Sequence, residues 1–428
     1  MNKIGLIYNL LIQGGEICTD SRLVSKNSIF VALKGEHFDG NAFALNALSR
    51  GAVIAIVDDT SLKEAKGTLL VDNTLVFLQE LAKHHRENIS IPIIGLTGSN
   101  GKTTTKELLN KVLSKKYKTF ATKGNLNNHI GVPLSVLMIN PDDEMAIIEM
   151  GANHIGEIAL LCSIAQPTHG LITNIGKAHL EGFGSIEGVI KAKTELYSHL
   201  SSNHGTVFYN SNNPLLSNLI GNYRFAQAVN YGSDAFCNLS TNTKNGLLSI
   251  SGLFEKHVFE IETKMVGEYN VENVLAAISV GKHFGVSLQK STQAIVEYEP
   301  TNSRSQMVRT KKNLVILDAY NANPSSMELA LQNFHTLPTE YPKCVILGDM
   351  LEMGDYSKAE HTRIGNIAKS LFKKVILVGE NFKHVEDCLW FPNQTKCGEY
   401  LNSEKISQHA ILLKASRGVR LDKVIDYL

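Results

Sequence analysis

Apolar residues along this chain fall into runs whose spacing changes twice. Before residue 90 two short continuous stretches, SIFVALKG (residues 28–35) and AVIAIVDD (52–59), flank FALNALSRG (43–51), whose apolar positions suit a helix. They predict two buried strands around one modest helix. LVFLQELAKHHRENISIP (75–92) then runs through a polar helix end into Pro92, a plausible domain boundary because proline disfavours helix in the residue before it. Beyond it, IPIIGLTG (91–98) is a continuous apolar run, as a parallel strand buried on both faces requires. KTTTKELLNKVLSKK (102–116) follows with helical spacing, and MAIIEMGA (145–152), GLITNIG (170–176) and TVFYNSN (206–212) predict more strands. NVENVLAAISVGKHFG (270–285) predicts a helix.

After Pro300 four runs, NLVILDAY, KCVILGDM, KKVILVGE and HAILLKAS, alternate with the helical patterns SSMELALQNFHTL and HTRIGNIAKSLFKK. Strands separated by helices imply βαβ units and a doubly wound parallel sheet. The expectation is an α/β protein of three domains: a small α/β domain over residues 1–86, a central parallel-sheet domain over 87–299, and a Rossmann-like domain over 300–428.

Composition narrows this little. A length of 428 residues suits about three domains at ~150 residues each. A net charge of +1 without blocks of like charge implies neither a nucleic-acid nor an acidic-membrane partner. No apolar run approaches a membrane span. MNKIGLIYNLLIQGGEIC lacks a charged segment with a small-residue cleavage site, so it reads as a buried first element and not a signal peptide. Six scattered cysteines without a C-x-x-C pair favour reduced thiols in a cytoplasmic protein.

The chemistry begins at TGSNGKTTT (97–105). It ends like the phosphate loop G-x-x-x-x-G-K-[ST], but Leu96 stands where the first glycine belongs, and Gly98 gives a shortened loop. The strand–turn–helix context suits phosphate binding: glycines admit the backbone, and the helix N-terminus attracts anions. Lys102 would reach the terminal phosphates and the Thr103 hydroxyl a Mg²⁺ ion. IIEMGANHIGEI places Glu149 at a strand end, where a structural ion pair or a metal ligand is equally in keeping. NIGKAHLEGFGS places His179 past another strand end; alone it reads as a structural histidine, with Glu149 as part of a Mg²⁺ site. Lys191 and Lys193 lie two residues apart on a predicted helix, so at most one faces a site, and spacing alone leaves both solvated.

The short loop T-G-[ST]-x-G-K-[ST] resembles that of the Mur ligases and of folylpolyglutamate synthase, ATP-dependent amide-forming ligases. The resemblance implies that Thr97, Gly98, Ser99, Asn100, Gly101, Lys102, Thr103 and Thr104 cradle ATP. It implies two Mg²⁺ ions held by Thr103, Glu149, His179 and Lys193, the last as a CO₂-derived carbamate in the register Ala192-Lys193-Thr194-Glu195-Leu196. MVGEYNVENVLAA resembles the family segment in which Asn270 contacts adenine, a position that also reads as a helix cap. Arg304 matches a linker arginine near the γ-phosphate, and Asp318 a ribose-binding acid beside Tyr320, Asn321 and Asn323. Lys414, Ser416 and Arg417 would hold the carboxylate of the incoming amine. Lys102, His179, Lys193 and Arg304 are the expected catalytic groups.

Family members that act on the first two peptide residues open with a Rossmann glycine fingerprint; this chain opens instead with TDSRLVSKNSIFVALKGEHFDGNAF. That start is similar to the later members, whose first domain grips a UDP-sugar, and places Ser21, Arg22, Lys34 and Gly35 near uridine or its phosphates. A D-N-P-R-type motif for diaminopimelate is absent. TKGNLNNHIGVPLSVL and AHLEGFGSIEGVIKAKTELY resemble the member that joins D-alanyl-D-alanine to UDP-N-acetylmuramoyl-tripeptide, with Asn125, Asn127 and Asn128 on the peptide or serving as turn asparagines. A monomer is expected. The related third-residue ligase, a folylpolyglutamate-type ligase and a P-loop ATPase with flanking binding modules are the alternatives.

Overall fold

A computed structural model describes residues 2–301 and 303–428. Packing divides the chain into two compact units. The first runs to Gly95 and takes in Lys118–Ala152 and Glu157–His169; the second comprises Leu96–Tyr117, Asn153–Gly156 and Gly170–Leu428.

The first unit opens with the helix Lys3–Ile12, in which only Ile7 is buried and Ile12 is 61% exposed. The expectation of a buried first element is therefore corrected. KIGLIYNLLI is apolar nearly all round, and a surface helix can bury only one stripe. Next comes a four-stranded sheet in the order Glu16–Cys18, Ser28–Val31, Ile54–Val57, Thr68–Leu70, parallel throughout. Its middle strands are the two expected from SIFVALKG and AVIAIVDD. The helix Ala44–Ser49 supplies Ala44 and Ala47 to the core around Phe30, Ala32, Ala55 and Val57. The long helix Thr74–Glu87 is capped by the Asn73 side chain, which accepts from Val76 N.

The central sheet has six strands, ordered Gln227–Asn230, Thr206–Tyr209, His169–Ile172, Ile93–Thr97, Met145–Glu149, Thr119–Ala121. All five residues of Ile93–Thr97 are buried. Ile93, Ile94 and Leu96 are fully so. At roughly 1.5–3 kcal/mol for each such side chain, they anchor the strand that carries the phosphate loop.

Within the second unit, the strands Phe236–Lys244, Leu247–Phe254 and His257–Glu262 form an antiparallel sheet that the strand expectations did not include. Its two-residue turns need positive φ at both positions: Asn245 and Gly246 at 54° and 83°, Glu255 and Lys256 at 48° and 71°. Asn-Gly between alternating apolar residues is the signal that could have found the first hairpin.

The last sheet is ordered Gln306–Arg309, Leu314–Asp318, Ala410–Lys414, Lys343–Gly348, Lys374–Val378, Leu389–Phe391. The four expected strands pair in parallel, as does the short edge strand Leu389–Phe391, while Gln306–Arg309 adds an antiparallel edge. Val315, Ile346, Ile376, Ile411 and Leu413 form its core. Register sets Asp318 beside Lys414 at the carboxyl ends of neighbouring strands, where α/β sheets bind ligands. No helix among the described residues is long and apolar enough to cross a membrane.

Candidate active site

In the second unit the chain leaves the strand Ile93–Thr97 through Gly98 at φ 147° and re-enters helix through Gly101 at φ 79°. Neither position has room for a side chain. A Cβ on Gly98 would lie 1.9 Å from Thr173 Oγ1, and one on Gly101 2.7 Å from Asn273 Oδ1. The loop is thus pressed against its surroundings, with the helix Lys102–Leu113 beginning at its end. Lys102 Nζ donates to the Gly98 and Ser99 carbonyls at 2.6 and 3.4 Å. Thr103 and Ser99 are buried. The Thr97 hydroxyl is buried without a hydrogen-bond partner.

The segment after the strand His169–Ile172 braces this loop from behind. Asn174 accepts from Asn100 N at 2.9 Å and donates to Asn100 O at 3.1 Å, while Asn174 O accepts from Ser99 N. Thr173 Oγ1 donates to Asn100 O at 2.6 Å, and Ser99 Oγ pairs with the Gly176 backbone. Thr173 and Asn174 were absent from the expected set, although their place just past a strand end could have marked them.

Asn270 and Asn273 form a second brace. Asn273 Oδ1 accepts from Thr105 Oγ1 at 2.9 Å, Asn273 Nδ2 donates to Asn270 Oδ1, and Asn270 Nδ2 donates to Val266 O. Asn270, expected on adenine, is 2% exposed, and both ends of its amide are engaged within the protein. It stands at the cap position of the helix Val271–His283 but makes no side-chain cap bond. Through Asn273 it is linked to Thr105 in the loop's helix.

Arg304 lies between Ser303 and Ser305, both left-handed at φ 56° and 47°. Its guanidinium carbon sits 3.7 Å over the Tyr320 ring, and its Nε is buried without a partner. Arg417 approaches the same ring at 5.2 Å and donates from Nη1 to the Tyr320 hydroxyl at 3.2 Å. One expected nucleotide group, Arg304, and one expected amine-substrate group, Arg417, therefore converge on Tyr320. Such a pair of guanidiniums suits an anion.

Asp318 accepts from Lys414 Nζ at 2.5 Å and from Ser305 N at 3.3 Å. Lys414, expected on the amine substrate, has a side chain only 3% exposed. Removing one member of such a buried pair costs about 3–5 kcal/mol, so each side chain depends on the other. Ser416 is buried as well, donating to Ala322 O and accepting from Leu351 N. Asn321 accepts from its neighbour Ala322 N. Asn323 caps the helix Pro324–Thr336 in a capping box with Ser326, and its Nδ2 donates to Asn100 Oδ1 at 2.8 Å.

His179 adopts a left-handed φ of 51° at the start of the short helix Leu180–Phe183. Its Nδ1 bonds the Glu352 carboxylate. His179 and Lys193 flank one ring: the imidazole meets Phe183 edge-on at 6.4 Å between centroids, and Lys193 Nζ lies 5.4 Å from the Phe183 centroid. Lys193 is 1% exposed within the helix Ile186–Ser202, whereas Lys191 points to solvent. No three His, Cys, Asp or Glu side chains among the described residues gather as a metal centre. A carbamate on Lys193 would be an oxygen donor of the kind a divalent cation takes.

In the first unit, Glu149 is 2% exposed and accepts from Asn127 Nδ2 at 2.9 Å. Asn128 Oδ1 accepts from Gly131 N at 2.8 Å, at the start of the helix Gly131–Leu137, and Asn125 is exposed. Near the chain start Arg22, its side chain 85% exposed, pairs with Asp20, which holds that carboxyl at about 2. Ser21 is half-buried beside them. Lys34 and Gly35 form an exposed two-residue strand against Phe38–Asp39. Lys34 pairs with Asp58 at 2.9 Å, a residue the sequence reading passed over. Burial pushes the Asp58 carboxyl up, but Lys34, Asn41 and the Thr74 backbone outweigh it and hold it below the usual range.

Comparison with known proteins agrees with this geometry. Residues 15–86 match the Mur ligase family catalytic domain, 96–281 the Mur ligase middle domain, and 303–418 the Mur ligase glutamate ligase domain. The chain is 34% identical to the UDP-N-acetylmuramoyl-tripeptide–D-alanyl-D-alanine ligase of Bacillus subtilis, over 96% of this chain and 92% of that one. It is 33% identical to the Escherichia coli protein of the same name, over 100% and 98%. Among solved structures, MurF from Acinetobacter baumannii superposes with a TM-score of 0.86 at 28% identity, covering 98% of this chain and 97% of that one. MurF from Thermotoga maritima in complex with ADP gives 0.87 at 27% identity, with the same coverage. With a phosphate loop of this form and likeness along its whole length, this chain belongs to the Mur ligase family.

Proposed function

We propose that the protein joins D-alanyl-D-alanine to UDP-N-acetylmuramoyl-tripeptide in an ATP-dependent ligation of peptidoglycan precursor synthesis. What carries the reading is likeness to ligases of that name over essentially the whole chain, together with a phosphate loop too tight for any side chain at Gly98 or Gly101. In this reading residues 1–86 hold the UDP-sugar, with Arg22 and Lys34 as the cations for its phosphates. Residues 87–299 bind ATP, and residues 300–428 bind the amine and complete the nucleotide site. The reaction takes place in the cytoplasm, with the chain as a monomer.

The chemistry has two steps. A carboxylate oxygen of the tripeptide attacks the γ-phosphorus of ATP and ADP leaves, giving an acyl phosphate. The amine of D-alanyl-D-alanine then attacks the acyl carbon, loses a proton, and expels phosphate as the amide forms. Lys102 and Arg304 spread the charge that develops on the transferring phosphoryl group. The Tyr320 ring holds the Arg304 guanidinium by stacking, and its unpartnered Nε supports a role in meeting an anion. Asp318, fixed by Lys414 and Ser305, takes the ribose. Thr103, His179 and carbamylated Lys193 would hold Mg²⁺. The bound cation would neutralise phosphate charge and draw electron density from the phosphoryl oxygens.

The intermediate has an isotopic signature. With ¹⁸O in the tripeptide's terminal carboxylate, one label is expected in the released inorganic phosphate, read by mass spectrometry. Unlabelled phosphate beside a labelled amide would remove the acyl phosphate from the reaction.

A further inference from the structure

We propose that Glu352 is a positioning residue for His179, making the orientation of that imidazole depend on docking of the loop that follows the strand Lys343–Gly348. This rests on reading His179 as a metal ligand. The Glu352 carboxylate accepts from His179 Nδ1 across 173 residues of sequence. An acceptor there keeps the proton on Nδ1, which fixes the tautomer and leaves the Nε2 lone pair for a cation.

The contact is built on both sides. Glu352 and His179 each adopt a left-handed backbone, at φ 62° and 51°. Glu181 N donates to Glu352 O at 3.4 Å, and the Tyr356 hydroxyl donates to Gly184 O at 3.1 Å. Gly354 lies so close that a Cβ there would come within 3.2 Å of Glu181 Cα. The loop 349–356 therefore grips the turn that carries His179 at the histidine itself and at Glu181 and Gly184 after it. Phe183, inside the same turn, also contacts the Lys193 amine, so a shift of the turn would disturb both expected ligands.

The test uses Mn²⁺ as probe cation on the full chain, saturated with a non-hydrolysable ATP analogue. Electron paramagnetic resonance counts the ion bound beyond that held by nucleotide alone. Glu352→Ala is expected to weaken Mn²⁺ binding by about 10–100-fold. Glu352→Gln, which keeps an acceptor oxygen, should recover most of the loss. The double variant with His179→Ala should bind no more weakly than His179→Ala alone, because Glu352 acts through the imidazole. Unchanged Mn²⁺ affinity in Glu352→Ala, or additive losses in the double variant, would overturn the proposal. Unchanged affinity in His179→Ala would instead overturn the ligand reading beneath it.

Discussion

Lys193→Ala is expected to lower kcat by roughly 10²–10³-fold, the usual loss when a group stabilising transition-state charge is removed. Lys191→Ala is expected to leave it within about twofold, as for an exposed residue outside any network. The two lysines lie two residues apart on one helix, and the structure separates them: Lys193 is 1% exposed, while Lys191 faces solvent. A carbamate formed on Lys193 from CO₂ would turn a cation site into an anionic oxygen donor of the kind Mg²⁺ takes. Labelled ¹³CO₂ should give a carbamate resonance in the wild type and in Lys191→Ala, and none in Lys193→Ala. Activity of Lys193→Ala should return in part on adding a small carboxylic acid. A fully active Lys193→Ala would take the carbamate out of the account.

Lys102→Ala should be as damaging, at about 10²–10³-fold in kcat, with a smaller change in KM for the tripeptide. The ammonium rests on the carbonyls of Gly98 and Ser99, within the loop itself. When a triphosphate enters, the same group can exchange those carbonyls for phosphate oxygens that gain charge during transfer. A contact strengthened in the transition state appears in kcat, whereas uniform binding appears in KM. Lys102→Arg is not a conservative change here, because a planar fork replaces a point charge in a cradle set by two glycines. Steady-state kinetics on the three proteins separates the possibilities, and a loss confined to KM would reduce Lys102 to a binding contact.

The elements of the fold that could be read in advance were those with a strong single period. IPIIGLTG, NLVILDAY and HAILLKAS are continuous apolar runs because their strands are buried on both faces, and each lies where expected. The antiparallel strands Phe236–Lys244 and His257–Glu262 are half exposed, so their apolar content is low and only the Asn-Gly turn betrays the first hairpin. The helix Lys3–Ile12 misled for the opposite reason, since its apolar residues exceed the stripe it can bury.

Site residues divide in the same way. Glycine spacing and a following helix mark the phosphate loop because backbone geometry dictates sequence there. The braces behind it, Thr173, Asn174 and Asn273, are ordinary polar residues that gain meaning only from what they touch. Glu352 lies 173 positions from His179, and no spacing rule connects them. Lys414 pairs in register with Asp318, a contact between strands that lie 96 residues apart and that no spacing rule announces.

The most direct measurement of the central claim is inorganic phosphate release from ATP by the purified protein, with each acceptor supplied alone and together. Sustained release is expected only when UDP-N-acetylmuramoyl-tripeptide and D-alanyl-D-alanine are both present, with one phosphate for each amide formed. Release that continues at the same rate without either acceptor would contradict the assignment as a ligase.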